Sequence, residues 1–165
     1  MQATYAKILG NHTADVITRT SKLKPLDIKI NTPPKQIGSC DLAVRIDFNG
    51  KVSGEGDVNG YVVCGFLKRN ESLPLLQALA EYFGFDKSLV ETEEGPANVL
   101  SEFLNIIIGL TGADWAEHGF DMDFAPPSVI SGQPLNEDYS NKKAYHVSVH
   151  TDSAAKVDIV AVFSK

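Results

Sequence analysis

Between Val99 and Leu110 the chain leaves a helix almost no polar side, since Val99, Leu100, Phe103, Leu104, Ile106, Ile107, Ile108 and Leu110 fill nearly every position. A helix apolar around most of its circumference has to be wrapped by other elements. Whatever this chain folds into must therefore place the segment inside a layered structure. The strongly polar exceptions are Glu102 and Asn105, with Asn98 one turn earlier. At ~100° per residue, Asn98, Glu102, Asn105 and Gly109 fall within a stripe of roughly 60°. Glu102 and Asn105, at i and i+3, are neighbours on it. Gly109 and Gly112 leave the stripe without bulk beyond Asn105, although glycine inside a helix costs up to ~1 kcal/mol against alanine. Open space beside a carboxylate and a carboxamide is what docking of another protein needs. From the pattern alone, the simpler reading is the solvated face of an amphipathic helix.

The elements around this helix are legible from period and punctuation. The helix itself is expected from about Pro96 to Trp115, with the proline in the first turn, where it is tolerated. An earlier helix runs from Ser72 to Phe83 and stops at Gly84. A third, from Tyr5 to Leu23, is ended by Pro25. Strand alternation marks Leu26 to Ile30 and Asp41 to Phe48, and Tyr61 to Leu67 reads as a buried strand. A break at Thr32-Pro33-Pro34-Lys35, a turn at Asn49-Gly50 and a glycine-rich bend from Gly54 to Gly60 separate these three, which are expected to form an antiparallel meander. Asp86 to Gly95 is a polar linker. Phe120 to Phe124 alternates, and the last third holds two strands, Lys143 to Thr151 and Ala155 to Ser164. A short Thr151-Asp152-Ser153-Ala154 loop joins them as a hairpin. The expected fold class is α+β: a twisted, mainly antiparallel sheet packed against two or three helices, in one domain spanning residues 1–165.

Composition excludes several function classes. Of 165 residues, 43% are hydrophobic and 22% charged, near globular averages. The net charge of −6 argues against a nucleic-acid partner. No basic-then-apolar leader opens the chain, and the apolar stretches fall short of the ~20 residues of a membrane span. The expectation is a cytoplasmic protein with no membrane partner. Cys40 and Cys64, both in strand-like segments, read as buried, reduced packing residues. His146 and His150 share a strand face about 13 Å apart, too far for one ion, and His12 and His118 are isolated, so no metal site is expected. The Gly54–Gly60 segment lacks the spacing and the following helix of a nucleotide-binding loop. Ser128 and Ser131 have no partnered histidine at a recognisable spacing.

Two segments carry a resemblance. Glu102-Phe103-Leu104-Asn105-Ile106-Ile107-Ile108-Gly109 resembles the E-x-x-N-(I/M)-(I/V)-x-G signature of the CheC, CheX and FliY family of chemotaxis phosphatases. About twenty residues on, Ala125-Pro126-Pro127-Ser128-Val129-Ile130-Ser131-Gly132 resembles that family's P-(S/T)-V-V-x-G segment, with Gly119-Phe120-Asp121-Met122-Asp123 similar to the strand that enters it. The likeness covers roughly residues 96 to 132 and extends, as an order of elements, from Gly50 to Lys165. A single E-x-x-N occurs, which fits the CheX-like branch better than CheC-type members with two. The helix from Ser72 to Phe83 holds the other position without a matching asparagine and reads as structural.

The resemblance implies a phosphatase for the aspartyl phosphate of a CheY-type response regulator. Asn105 would orient the attacking water, Glu102 would dock the regulator's lysine, and Asn98, Gly109 and Gly112 would belong to the partner-binding surface. It further implies no cofactor of the chain's own, with Mg2+ held by the phosphorylated regulator. A homodimer joined through the sheets is implied as well, for which the two late strands are the expected edge. The alternatives are a non-catalytic receiver-binding domain and a flagellar-switch-like dimerisation module.

Overall fold

The computed structural model describes residues 2–31, 40–66, 69–130, 142–152 and 156–164. The expected break at 32–35, Leu67, positions 131–132 of the second motif and positions 153–155 of the late hairpin lie outside them. Three helices, α1 (Gln2–Ser21), α2 (Leu73–Tyr82) and α3 (Gly95–Glu117), cover one face of a single sheet. Its strands are β1 (Pro25–Asn31), β2 (Leu42–Val52), β3 (Gly56–Phe66), β4 (Phe120–Phe124), β5 (Ser128–Val129), β6 (Lys143–Thr151) and β7 (Lys156–Ser164). Every pairing is antiparallel, in the order β1-β6-β7-β3-β2-β4, with β5 also on β2. The α+β class, an antiparallel sheet packed against helices, is as the periodicity implies; that all three helices lie on one face is a finding of the structure.

Three expectations are corrected. β1 does not continue a meander into β2; it pairs with β6, Ile28 facing Val149 and Ile30 facing Val147. The edge of β2 that β1 would have used is occupied by β4 and β5. Second, β2 runs straight through Asn49-Gly50 to Val52, and the chain turns over Ser53–Glu55 instead. Gly54 and Gly56, at φ +81 and +90, supply that reversal. Gly50 serves close approach: a side chain there would strike the Asp121 carbonyl and come within 2.8 Å of the Met122 Cα, so its absence lets β4 close on β2. Third, β6 and β7 are interior strands, each paired on both sides, and cannot supply the edge of a sheet-joined dimer. Among the described residues the outer strands are β1 on one side and β4 and β5 on the other.

The helix-side core joins Val44, Ile46 and Phe48 of β2, Val62 and Cys64 of β3, Tyr145, Val147 and Val149 of β6, and Val157, Ile159, Ala161 and Phe163 of β7 to the undersides of the helices. An aromatic nest closes one end. Trp115 stacks on Phe120 with centroids 5.3 Å apart, and Tyr5, Phe48 and Phe163 pack round the pair. The Trp115 indole N–H donates to the Tyr5 carbonyl at 3.1 Å, which ties α3 to α1. By length and composition α3 would suffice to cross a membrane, contrary to the reading of its apolar run as too short; its apolar face lies in this core.

The opposite sheet face also has a buried patch: Ala43, Tyr61, Val63, Ala144, Val160 and Val162, with Cys40 beside it. Cys40 precedes β2 instead of lying in a strand. Both cysteines are buried and neither is in a disulfide. Burial pushes both thiols up, Cys40 to about 11, so neither offers a thiolate near neutral pH.

Candidate functional site

The position of α3 is fixed at both ends. At its start the Gly95 N–H donates to the Thr92 hydroxyl at 3.0 Å, and that hydroxyl donates to the Leu89 carbonyl at 2.7 Å. A side chain at 95 would collide with the same carbonyl, so glycine is needed where the preceding short turn, Lys87–Glu91, meets the helix. The linker read between Asp86 and Gly95 is thus partly structured, its Asp86 carboxylate capping the Ser88 N–H at 2.8 Å. Toward the other end, His12 of α1 contacts the Asp114 carboxylate at 2.7 Å, and Trp115 anchors the last turn.

With those ends held, the apolar residues Val99, Leu100, Phe103, Leu104, Ile107 and Ile108 point into the core. The polar stripe then has one place to go. Asn98, Glu102, Asn105 and Gly109 are all exposed. Among the described residues, no hydrogen bond or ion pair engages the side chain of Glu102 or Asn105. Both groups are presented with their hydrogen-bonding capacity unspent: a carboxylate that accepts, and beside it a carboxamide that both donates and accepts.

The two glycines differ from each other. Beyond Gly109 there is open space, with nothing within 4 Å of a would-be Cβ, as the docking reading requires. Gly112 is not open: a Cβ there would meet the Phe124 ring at 2.7 Å. Its small size seats β4 against the helix, a packing role in place of the bare surface expected of it.

The second motif comes to the same place. Val129 and Ser128 pair with Val44 and Arg45 of β2, the Ser128 hydroxyl donates to the Arg45 carbonyl at 3.3 Å, and the Ile130 N–H donates to the Ala43 carbonyl at 3.0 Å. This seats β5 alongside α3. Val129 and Asn98 then line one cleft of about 420 Å³, floored by Leu42 and Ala97. Segments some twenty residues apart in sequence thus form one surface. Val129 and, beyond Gly109, Leu110 are exposed apolar side chains of that surface which the sequence reading passed over. The signal was available only in part, since nothing in the pattern distinguishes an exposed valine in a motif from a buried one.

Elsewhere polar side chains are engaged in pairs. Glu81 of α2 is ion-paired with Lys87 at 3.2 Å. His118 bonds the Asp114 carbonyl at 2.8 Å. His146 is buried against Asp158 at 2.7 Å. Among the described residues no group of three or more His, Cys, Asp or Glu side chains is placed to hold a metal.

No protein-family model matches the sequence, and no curated protein matches it. Solved structures do match in three dimensions. A chain of the CheX–CheY–BeF3–Mg2+ complex from Borrelia burgdorferi is 18% identical, with 98% of each chain covered and a TM-score of 0.73. The CheC-like superfamily protein from Shewanella sp. PV-4 is 17% identical, fully covered on both sides, at 0.71. Chemotaxis protein CheX from Vibrio vulnificus is 19% identical, covering 98% of this chain and 99% of that one, at 0.70. The fold of this chain, over nearly its whole length, is that of CheX and CheC-like chemotaxis proteins.

Proposed function

We propose that the chain is a phosphatase for the aspartyl phosphate of a CheY-type response regulator. The observation that carries the reading is the presentation of Glu102 and Asn105, adjacent, exposed and unpaired, on a helix otherwise held by its core contacts. Support comes from the resemblance of the surrounding motif and from the complex that a structure of the same fold makes, described as CheX with CheY.

Phosphoryl transfer asks little covalent work of a protein; rate comes from placing the nucleophile and stabilising charge. In this reading the Asn105 carboxamide enters the regulator's active site and holds a water in line with the phosphorus, accepting one hydrogen bond and donating another. Glu102 meets the regulator's lysine and fixes the docking, so that its loss mainly weakens the complex. The magnesium ion belongs to the regulator. Gly109 keeps the next turn clear of the approaching surface.

The test is phosphate release from a magnesium-loaded, aspartyl-phosphorylated CheY-type receiver. Wild type accelerates the decay, Asn105→Ala returns it to the receiver's own rate, and Glu102→Ala raises KM about tenfold. Decay unaffected by wild type, with the receiver still bound, assigns the surface to binding alone. Neither decay nor binding removes the reading.

A further inference from the structure

The reactive pair lies between two exposed apolar side chains. Val129 of β5 is 56% exposed and Leu110 of α3 is 37% exposed. From Gly109 on the stripe, Leu110 lies ~100° round the helix in one sense, while Gly112 and its Phe124 contact lie ~60° in the other. Val129 stands on that second side, where it shares a cleft with Asn98. Asn98 and Leu110 are ~18 Å apart along the helix axis. Single exposed apolar residues are ordinary on a surface. Two that bracket an unpaired carboxylate and carboxamide, one of them walling a cleft continuous with the same stripe, make a footprint of protein size.

We propose that Val129 and Leu110 are the apolar anchors on which the receiver domain seats, and that they select protein-borne aspartyl phosphate over free acyl phosphates. The inference rests on the phosphatase reading above. A small acyl phosphate reaching Glu102 and Asn105 would touch neither anchor, whereas a folded receiver buries both. Affinity in protein interfaces concentrates in a few desolvated side chains, so these two contacts set how tightly the receiver is held while Asn105 acts on whatever is held. The cleft's rim carries Glu93 and Glu94, so the face that lies on it is apolar or basic.

The experiment measures kcat and KM with a magnesium-loaded, aspartyl-phosphorylated CheY-type receiver and with acetyl phosphate. It compares wild type, Val129→Asp, Val129→Ser, Leu110→Asp, Asn105→Ala and, as an exposed apolar residue outside the surface, Tyr82→Ser. The anchor variants, folded by circular dichroism, are expected to raise KM for the receiver about tenfold each and to leave kcat within about twofold. Tyr82→Ser changes neither, and acetyl phosphate is not turned over by any form. An unchanged KM in the anchor variants while Asn105→Ala is inactive overturns the anchors and leaves the phosphatase standing. So does turnover of acetyl phosphate by wild type with an efficiency like that for the receiver. No turnover of the receiver by wild type overturns the phosphatase instead; receiver-binding isotherms of the same variants then decide the anchors, an unchanged Kd rejecting them.

Discussion

A Cβ added at residue 109 would meet nothing within 4 Å, whereas at residue 112, less than one turn on, it would run into the Phe124 ring at 2.7 Å. Both residues are glycine inside α3, and each forgoes up to ~1 kcal/mol of helix propensity against alanine. The loss is offset differently at the two sites, and substitution separates them. Gly109→Ala is expected to raise stability by about 0.5–1 kcal/mol in urea denaturation. Gly109→Trp should fold equally well and bind the proposed receiver partner far more weakly, because the ring fills the space a docking surface needs. Gly112→Ala gains the same propensity but forces Phe124 from its seat, for a net loss of about 1 kcal/mol. A stability gain at both positions would mean that Phe124 yields freely and that Gly112 has no packing function. That Asn105 and Glu102 face outward was legible because polarity on an apolar helix is a local signal. The distinction between Gly109 and Gly112 was not, because it depends on a ring twelve residues beyond the second of them.

At the scale of elements, the helices and most strands follow from period and punctuation, and their pairing does not. Asn-Gly between alternating apolar residues is the strongest short-range hairpin signal, yet at Asn49-Gly50 the chain stays extended. What decides the matter is β4, more than seventy residues away in sequence, whose backbone fills the place of a residue-50 side chain. In the same way β6 and β7 alternate as an edge hairpin would, and only the return of β1 to β6 and the pairing of β3 with β7 make them interior. Register and neighbour order are long-range facts, and a single strand's pattern records only which face is apolar. The consequence is testable at Gly50. Gly50→Ala should push β4 off β2, at a cost of about 2–4 kcal/mol, with amide exchange accelerated first in Phe120–Phe124. Because Phe124 also packs at Gly112, the loosened strand should lower the proposed phosphatase activity without any change at Glu102 or Asn105. Exchange in β4 that matches wild type would show that Gly50 is not what closes the strand pair.

Taken as a whole, the molecule buries its sheet on both faces across β3, β6 and β7, and the face away from the helices carries a buried polar cluster of His146, Ser148 and Asp158. One oxygen of Asp158 accepts from His146 at 2.7 Å and from Ser148 at 2.8 Å, and lies 3.2 Å from the Lys156 ammonium. Burial alone would raise the Asp158 pKa, but the two hydrogen bonds and the charges of Lys156 and His146 outweigh it and hold the carboxyl below its ordinary range. An aspartate depressed in the folded state contributes stability that is fully present above its unfolded value, near 3.9. That contribution is lost as pH falls through the lower folded value, because the unfolded chain there binds the proton more readily. Stability measured by urea denaturation should therefore drop steeply below about pH 4 in wild type. Asp158→Asn keeps the shape and an acceptor but removes the charge that faces Lys156 and His146. It is expected to be less stable at pH 7 by about 1–2 kcal/mol, with a shallower dependence on pH below 4. The same acid slope in Asp158→Asn as in wild type would falsify this assignment and move the acid sensitivity to other carboxylates. Since this cluster and Glu102 lie on opposite sides of the sheet, receiver binding by the folded variant at pH 7 should be unchanged, which separates what holds the sheet together from what the helix presents.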